Sequence, residues 1–275
     1  MKIEVDIELL PPGRPSISLA LLLAKRDHST TGANPCVCVS IEQPITENRD
    51  ALLNGMRKIL PFIYHAPTEA IKILFRYGVN VTSNIFTPPS PTFQWAHAGE
   101  ILMCAYFEEC ENNVVLSYKW RLNTTRNQHQ FGMDLLAFDL QTSPPVIKAI
   151  AVKTTHQGSN GKTPSVVYDA INELKEYLIS EKLDDDLEVI SANLHTDDVN
   201  KKIFKDWYDP YAQGVPSQRP QLIPVPAIVI DAQHWQDKYA LPAIQHDFGM
   251  PGMVRILCID ELENLIQETY KGVSS

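Results

Sequence analysis

Three prolines fall within the five residues Thr87-Pro88-Pro89-Ser90-Pro91. No helix or sheet interior runs through such a stretch, because each proline fixes φ and removes a backbone donor. The chain is therefore read as an N-terminal accessory region, 1–91, and a main α/β core, 92–275, that includes C-terminal strands and a helix. With 275 residues, 44% of them hydrophobic and 21% charged, there is enough apolar material to bury such a core. Before the break, 1–10 alternates as a strand that Pro11-Pro12-Gly13 ends. Residues 50–60 have helical spacing, which Pro61 stops or kinks, and Thr68 caps a helix through Tyr77 with Gly78 just beyond it.

After the break the order of elements carries the information. Residues 93–110 read as a helix with His97, Glu100, Cys104 and Phe107 along one stripe. Residues 113–122 read as a strand, 123–130 as a polar connection and 133–140 as a second strand. Ser143-Pro144-Pro145 turns into a third strand, 146–153. A loop of small and polar residues leads to a helix over 164–179, with Thr163 as its cap and Pro164 at its first position. Val167, Ala170, Ile171, Leu174 and Leu178 form its buried face. Residues 222–231 and 253–259 read as further strands, followed by a terminal helix.

Asp134 follows Gly132 at the start of the second of these strands, and Lys153 closes the third. Alternation places Ile147, Ala149, Ala151 and Lys153 on one face. A glycine beside the acid admits backbone or a phosphate at close range. Glu100, on the preceding helix, can point over the same sheet edge. A helical Glu, a strand Gly-x-Asp, and a strand ending in x-x-Lys before a helix follow the order of the PD-(D/E)xK nuclease superfamily. Its third motif reads acid-x-Lys, whereas this chain reads Ala151-Val152-Lys153. The expected fold is thus a restriction-endonuclease-like core with a mixed sheet flanked by helices.

That chemistry needs carboxylates to hold Mg²⁺, or Mn²⁺ in its place, by hard oxygen ligands beside the scissile phosphate. The lysine orients the attacking water or screens developing charge. Glu100, Asp134 and position 151 are the expected metal-binding set, and Lys153 completes the catalytic set. Restoring a glutamate would give Glu-Val-Lys-Thr-Thr, so Ala151 is read as its replacement, by natural decay or by deliberate substitution, in a poor catalyst. Each residue also has a plainer reading: Asp134 and Lys153 as solvated strand ends, Ala151 as a small residue under a packed helix, Glu100 as a capping or ion-paired acid. His97, one turn before Glu100, is either a ligand or base or, more simply, a core histidine.

Ala98-Gly99-Glu100, then Gly132-Met133-Asp134-Leu135-Leu136-Ala137-Phe138, then Val152-Lys153-Thr154-Thr155 resemble the HamA family, nuclease subunits of the bacterial Hachiman anti-phage system. The resemblance covers roughly residues 95–180. It implies a metal-dependent DNase that works with a superfamily-2 helicase, HamB, which restrains it until phage infection or damaged DNA releases it. The net charge of −9 argues against tight DNA binding by long-range attraction alone. A helicase supplying the basic track would resolve that conflict. The alternatives are a non-catalytic pseudo-nuclease subunit that regulates a helicase, and an α/β domain whose motifs are coincidental.

Other signals are weaker. Gly158-Ser159-Asn160-Gly161-Lys162-Thr163 invites a phosphate-loop reading, but the first glycine of that motif would fall on His156. Apolar runs ending at Asp231 and at Asp260-Glu261 resemble a magnesium-holding strand end, an ending common to buried strands. Lys119, Arg121 and Arg126 give a small positive field around the 123–130 connection, which is either solvated or a contact to the DNA backbone. The aromatics of Trp207-Tyr208-Asp209-Pro210-Tyr211 and the proline-rich 215–226 are either partner-binding surface or core. Five cysteines without paired spacing fit a reducing cytoplasm, and no apolar run is long enough to span a membrane.

Overall fold

Residues 15–17, 19–22, 24–26, 34–41, 46–65, 69–76, 90–117, 132–157, 160–180, 182–194 and 198–271 are described by the computed structural model. The expected strand at 1–10 and the polar connection at 123–130 lie outside them. Among the described residues, six strands form one mixed sheet: β1 (Ala24–Arg26), β2 (Cys36–Ile41), β3 (Leu135–Asp139), β4 (Val146–Thr155), β5 (Gln221–Asp231) and β6 (Val254–Ile259). Their order is β1-β2-β6-β5-β4-β3. The four inner strands are parallel to one another, and β1 and β3 close the edges antiparallel. Both faces are covered by helices, which is why β5 and β6 are nearly continuous apolar runs.

Pro224 and Pro226 lie inside β5. The Pro224 carbonyl accepts from the Met253 N–H at 3.0 Å, so this residue's backbone polar side faces β6. Ladder pairing with β6 begins only at Ala227, so the missing proline donors fall where no β6 acceptor requires them.

The helices are α1 (Leu19–Leu22), α2 (Thr46–Tyr64), α3 (69–76), α4 (Pro91–Glu109), α5 (Ser165–Ile179), α6 (Leu183–Ala192), α7 (Asp198–Ala212), α8 (Leu241–Gln245) and α9 (Leu262–Tyr270). On one face α2, α4 and α9 bury Leu52, Ile59, Ile101, Met103 and Leu265 against Ile150, Val152 and Leu257. On the other, α5 to α8 bury Val167, Leu174, Phe204 and Ile244 against Ile147, Ala149, Ala151 and Ile228. No helix among the described residues is long and apolar enough to cross a membrane.

Several expectations need correction. The break at Pro91 does not divide the sheet: β1 and β2 precede it and join β6, and Pro91 itself opens α4. Pro61 does not end α2, which continues to Tyr64, with Pro61 O accepting from His65 N at 2.9 Å. The strand expected at 113–122 reduces, among its described residues, to one bridge between Val114 and Phe138. The next amide, Val115 N–H, goes to the Glu108 carboxylate rather than to a ladder partner. Pro164, not Thr163, caps α5, and Tyr177 replaces Leu178 on its buried face. Among the aromatics of α7, Trp207 is buried with Phe204, so core packing takes that ring, while Tyr208 and Tyr211 stay half-exposed.

At the N-terminal end of the inner strands, Glu111 is held between Lys148 of β4, at 2.5 Å, and Arg255 of β6. The side chains are only 14%, 10% and 8% exposed, respectively. Asn113 Oδ1 accepts a further bond from Lys148 at 2.7 Å. Burial alone would raise the Glu111 pKa, but the hydrogen bonds and charges of Arg255 and Lys148 outweigh it and hold the carboxyl below its usual value. Because the folded-state pKa is lowered, this contribution is present above the unfolded carboxylate pKa and is lost as pH falls through the folded one. Glu111→Gln leaves two buried cations short of a counter-charge and is expected to cost about 3–5 kcal/mol at neutral pH. Denaturant unfolding at pH 7 and pH 3 tests this; an equal loss at both would show that the charge is not the cause.

Candidate active site

The hairpin of β3 and β4 pairs Leu135 with Ile150 and Leu136 with Ala149. Continuing that register brings Asp134 level with Ala151. Asp134 Oδ2 accepts from the Val152 N–H at 2.8 Å and lies 3.7 Å from Lys153 Nζ. The strand therefore orients the acid through its backbone and supplies the lysine one residue later. Ala151 is fully buried among the residues under α5. The plain reading of Ala151 as a small residue beneath a helix thus describes its packing.

Lys153 follows the same alternation and ion-pairs with Glu173 of α5 as well as with Asp134. Lys153 is 26% exposed, Asp134 15% and Glu173 31%, so water reaches all three. Burial would lower the Lys153 pKa, but the charges of Asp134 and Glu173, the Glu173 hydrogen bond and the Glu100 charge raise it, and the amine stays protonated. Burial and the neighbouring Asp134 charge raise the Glu173 pKa against the opposing pull of Lys153.

Two close approaches hold this geometry. Gly132 has φ +114°, and a Cβ there would fall 2.2 Å from Asp186 Oδ1. Asp186 of α6 accepts from the Met133 N–H at 3.2 Å and from the Tyr177 hydroxyl at 2.8 Å, which pins the residues just before Asp134. On the opposite face, a Cβ at Gly99 would fall 1.7 Å from Thr154 Oγ1, so α4 sits directly on the end of β4. Glu100 is buried on that helix and reaches Lys153 from the α4 side through its charge.

The structure thus brings Asp134, Ala151 and Lys153 together and sets Glu100 on the other side of the strand. His97 takes the core role: its Nδ1 is 2.7 Å from the Tyr64 hydroxyl and its ring lies beside Phe93. Asp231 is used locally, its oxygens accepting from the Gln233 and Leu262 amides, which leaves the strand-end magnesium reading without support there. Among the described residues no three His, Cys, Asp or Glu side chains cluster as a metal cage. Glu173 was not singled out from the sequence. Its only signal is position: it follows Ala170 by three residues, on the flank of the apolar row that α5 turns inward.

Over residues 20–230 the chain matches the HamA family model, a span that includes the whole hairpin site and crosses the proline break. No curated protein matches the chain.

Gly99→Ala is expected to destabilise the protein by about 1–3 kcal/mol, the usual cost of overpacking. Adding Thr154→Ala should return part of that loss and not all, because Thr154 Cβ itself would stand 3.0 Å from the new methyl. Denaturation midpoints of the two single variants and the double variant check the coupling; strict additivity would mean that α4 does not rest on Thr154.

Proposed function

The chain belongs to the HamA family, with a role in anti-phage defence, and from that premise we propose that it is a nuclease subunit that hydrolyses DNA phosphodiesters under the control of a helicase partner. The observation that carries this reading is the pairing of Asp134 with Lys153 at 3.7 Å across the hairpin, level with position 151. An oxygen ligand partly open to water, beside a protonated lysine, suits Mg²⁺ or Mn²⁺ bound mainly by one or two carboxylates and substrate phosphate. Asp134 is the strand residue that would hold the metal, with Glu100 supporting through water. Bound there, the ion would polarise the phosphate and lower the pKa of an attacking water.

The remaining work falls to the chain's own groups. The Val152 amide fixes the Asp134 carboxylate. The Lys153 ammonium can orient a water or screen charge as it builds on the phosphoryl oxygens. Position 151 contributes no ligand, so the hairpin offers one acid where the superfamily pattern has two, and hydrolysis is expected to be slow. A second reading, a pseudo-nuclease subunit that regulates the helicase, draws on one observation: Ala151 is wholly buried as a packing residue.

Ala151→Glu is expected to yield or raise Mg²⁺- or Mn²⁺-dependent DNase activity, and Ala151→Glu with Asp134→Ala to abolish it. The assay is plasmid and linear-duplex cleavage with and without EDTA, helicase and ATP, after circular dichroism shows that each variant folds. Silence of folded Ala151→Glu in every combination would hand the argument to the pseudo-nuclease. The lone chain, at net charge −9, should bind duplex DNA weakly with a shallow salt slope. A tight, steeply salt-dependent complex in a fluorescence titration would contradict the need for a partner's basic track.

A further inference from the structure

Lys153 is shared by more acid than an ion pair requires. Asp134 and Glu173 both approach it, one from the hairpin and one from α5, and the charge of Glu100 acts on it from α4. One ammonium thus serves two carboxyl groups, themselves hydrogen-bonded to each other, in a place that water reaches. The Glu111 network shows the opposite arithmetic, one carboxylate between two cations and nearly sealed from solvent. A network sealed from solvent in this way holds the fold together, whereas a half-open carboxylate pair suits a hard divalent cation.

The placement is as informative as the count. Position 151 and Lys153 share the strand face that α5 covers, and Glu173 comes down onto that face from the helix. A glutamate at 151 would approach the same lysine and Asp134 from the strand. We propose that Glu173 supplies, from α5, the carboxylate that position 151 lacks, and that Asp134 and Glu173 together hold the divalent cation. The proposal rests on reading the hairpin as a metal-dependent phosphodiester site. It adds to that reading a ligand that neither the motif order nor the family match names.

The consequence is that Ala151 does not by itself disarm the site. Lys153 then has two roles: it balances the two carboxylates before metal arrives, and it gives them up when the cation enters. Removing its ammonium should help metal binding while harming hydrolysis, a split that a simple structural ion pair would not produce.

The test is Mn²⁺ binding by isothermal titration calorimetry on the full chain, with the rise in melting temperature per Mn²⁺ increment as a second readout. No DNA or activity is needed. The unmodified chain should bind Mn²⁺, and Glu173→Gln should lower the affinity by at least the 10–100-fold (an order-of-magnitude range) that even outer-shell partners command. Lys153→Met should bind Mn²⁺ more tightly than the unmodified chain, and Ala151→Glu with Glu173→Gln should regain what Glu173→Gln lost. If Glu173→Gln binds Mn²⁺ as the unmodified chain does while Asp134→Ala does not, Glu173 merely holds the lysine. The proposal then falls and the functional reading survives. If no folded variant binds Mn²⁺, Ala151→Glu included, both fall together.

Discussion

The parallel ladder between β4 and β5 runs without interruption from Val146 paired with Gln221 to Thr155 paired with Ile230. That pairing fixes which residues of β4 face which helix layer, and a slip of one residue would exchange every side chain between the two faces. Ile150 and Val152 go to the α4 side, and Ala149 and Ala151 to the α5 side. The same register places Lys153 under α5, levels Asp134 with Ala151 through the β3 pairing, and presents Thr154 to the bare Cα of Gly99. The geometry of the candidate site is thus inherited from one strand's alternation, with two glycines allowing its neighbours to close in.

What the sequence made legible follows from the same physics. Strand alternation and apolar periodicity depend on local pattern, so β3, β4, β5, β6, α4 and α5 were readable to within a few residues. Asp134 and Lys153 were readable because hairpin order and face parity follow from two adjacent strands. Long-range pairing was not readable. Nothing local in Cys36–Ile41 says that it joins β6, more than two hundred residues later, so the proline break looked like a domain edge when it is only the entry to α4. Residues 113–117 also look like a strand in isolation, but their pairing with β3 is confined to the single bridge of Val114 with Phe138. Glu173 escaped because nothing local sets apart an acid on the flank of a helix. Only the packing of α5 over β4 brings it to Lys153.

The acidity of the chain has to be read against the fold rather than against DNA. Asp184, Asp185 and Asp186 fill the first turn of α6, where an acid is favoured by the free amides and the helix dipole. One of the three, Asp186, has been drawn into holding Met133 and Tyr177. Asp231 is likewise committed to backbone amides at the start of α9. Such acids add to the net charge without marking a site.

Two lysines on β4, five residues apart, show how one strand separates stability from chemistry. Lys148 points to the α4 side, lies 5.3 Å from the centre of the Phe107 ring, and is closed in by Glu111 and Asn113. Glu111 and Asn113 accept from its ammonium, and burial makes the loss of either partner costly. Lys153 points to the α5 side at the opposite end of the strand, where more of it is exposed and the acids around it outnumber it. A charge held that way contributes little stability, because solvent screens it. Arrangements of that kind persist at functional sites, where groups are kept in states the fold alone would not choose. The contrast between the two ends of β4, more than the motif order by itself, is the physical reason for looking for chemistry at Lys153 and for structure at Lys148.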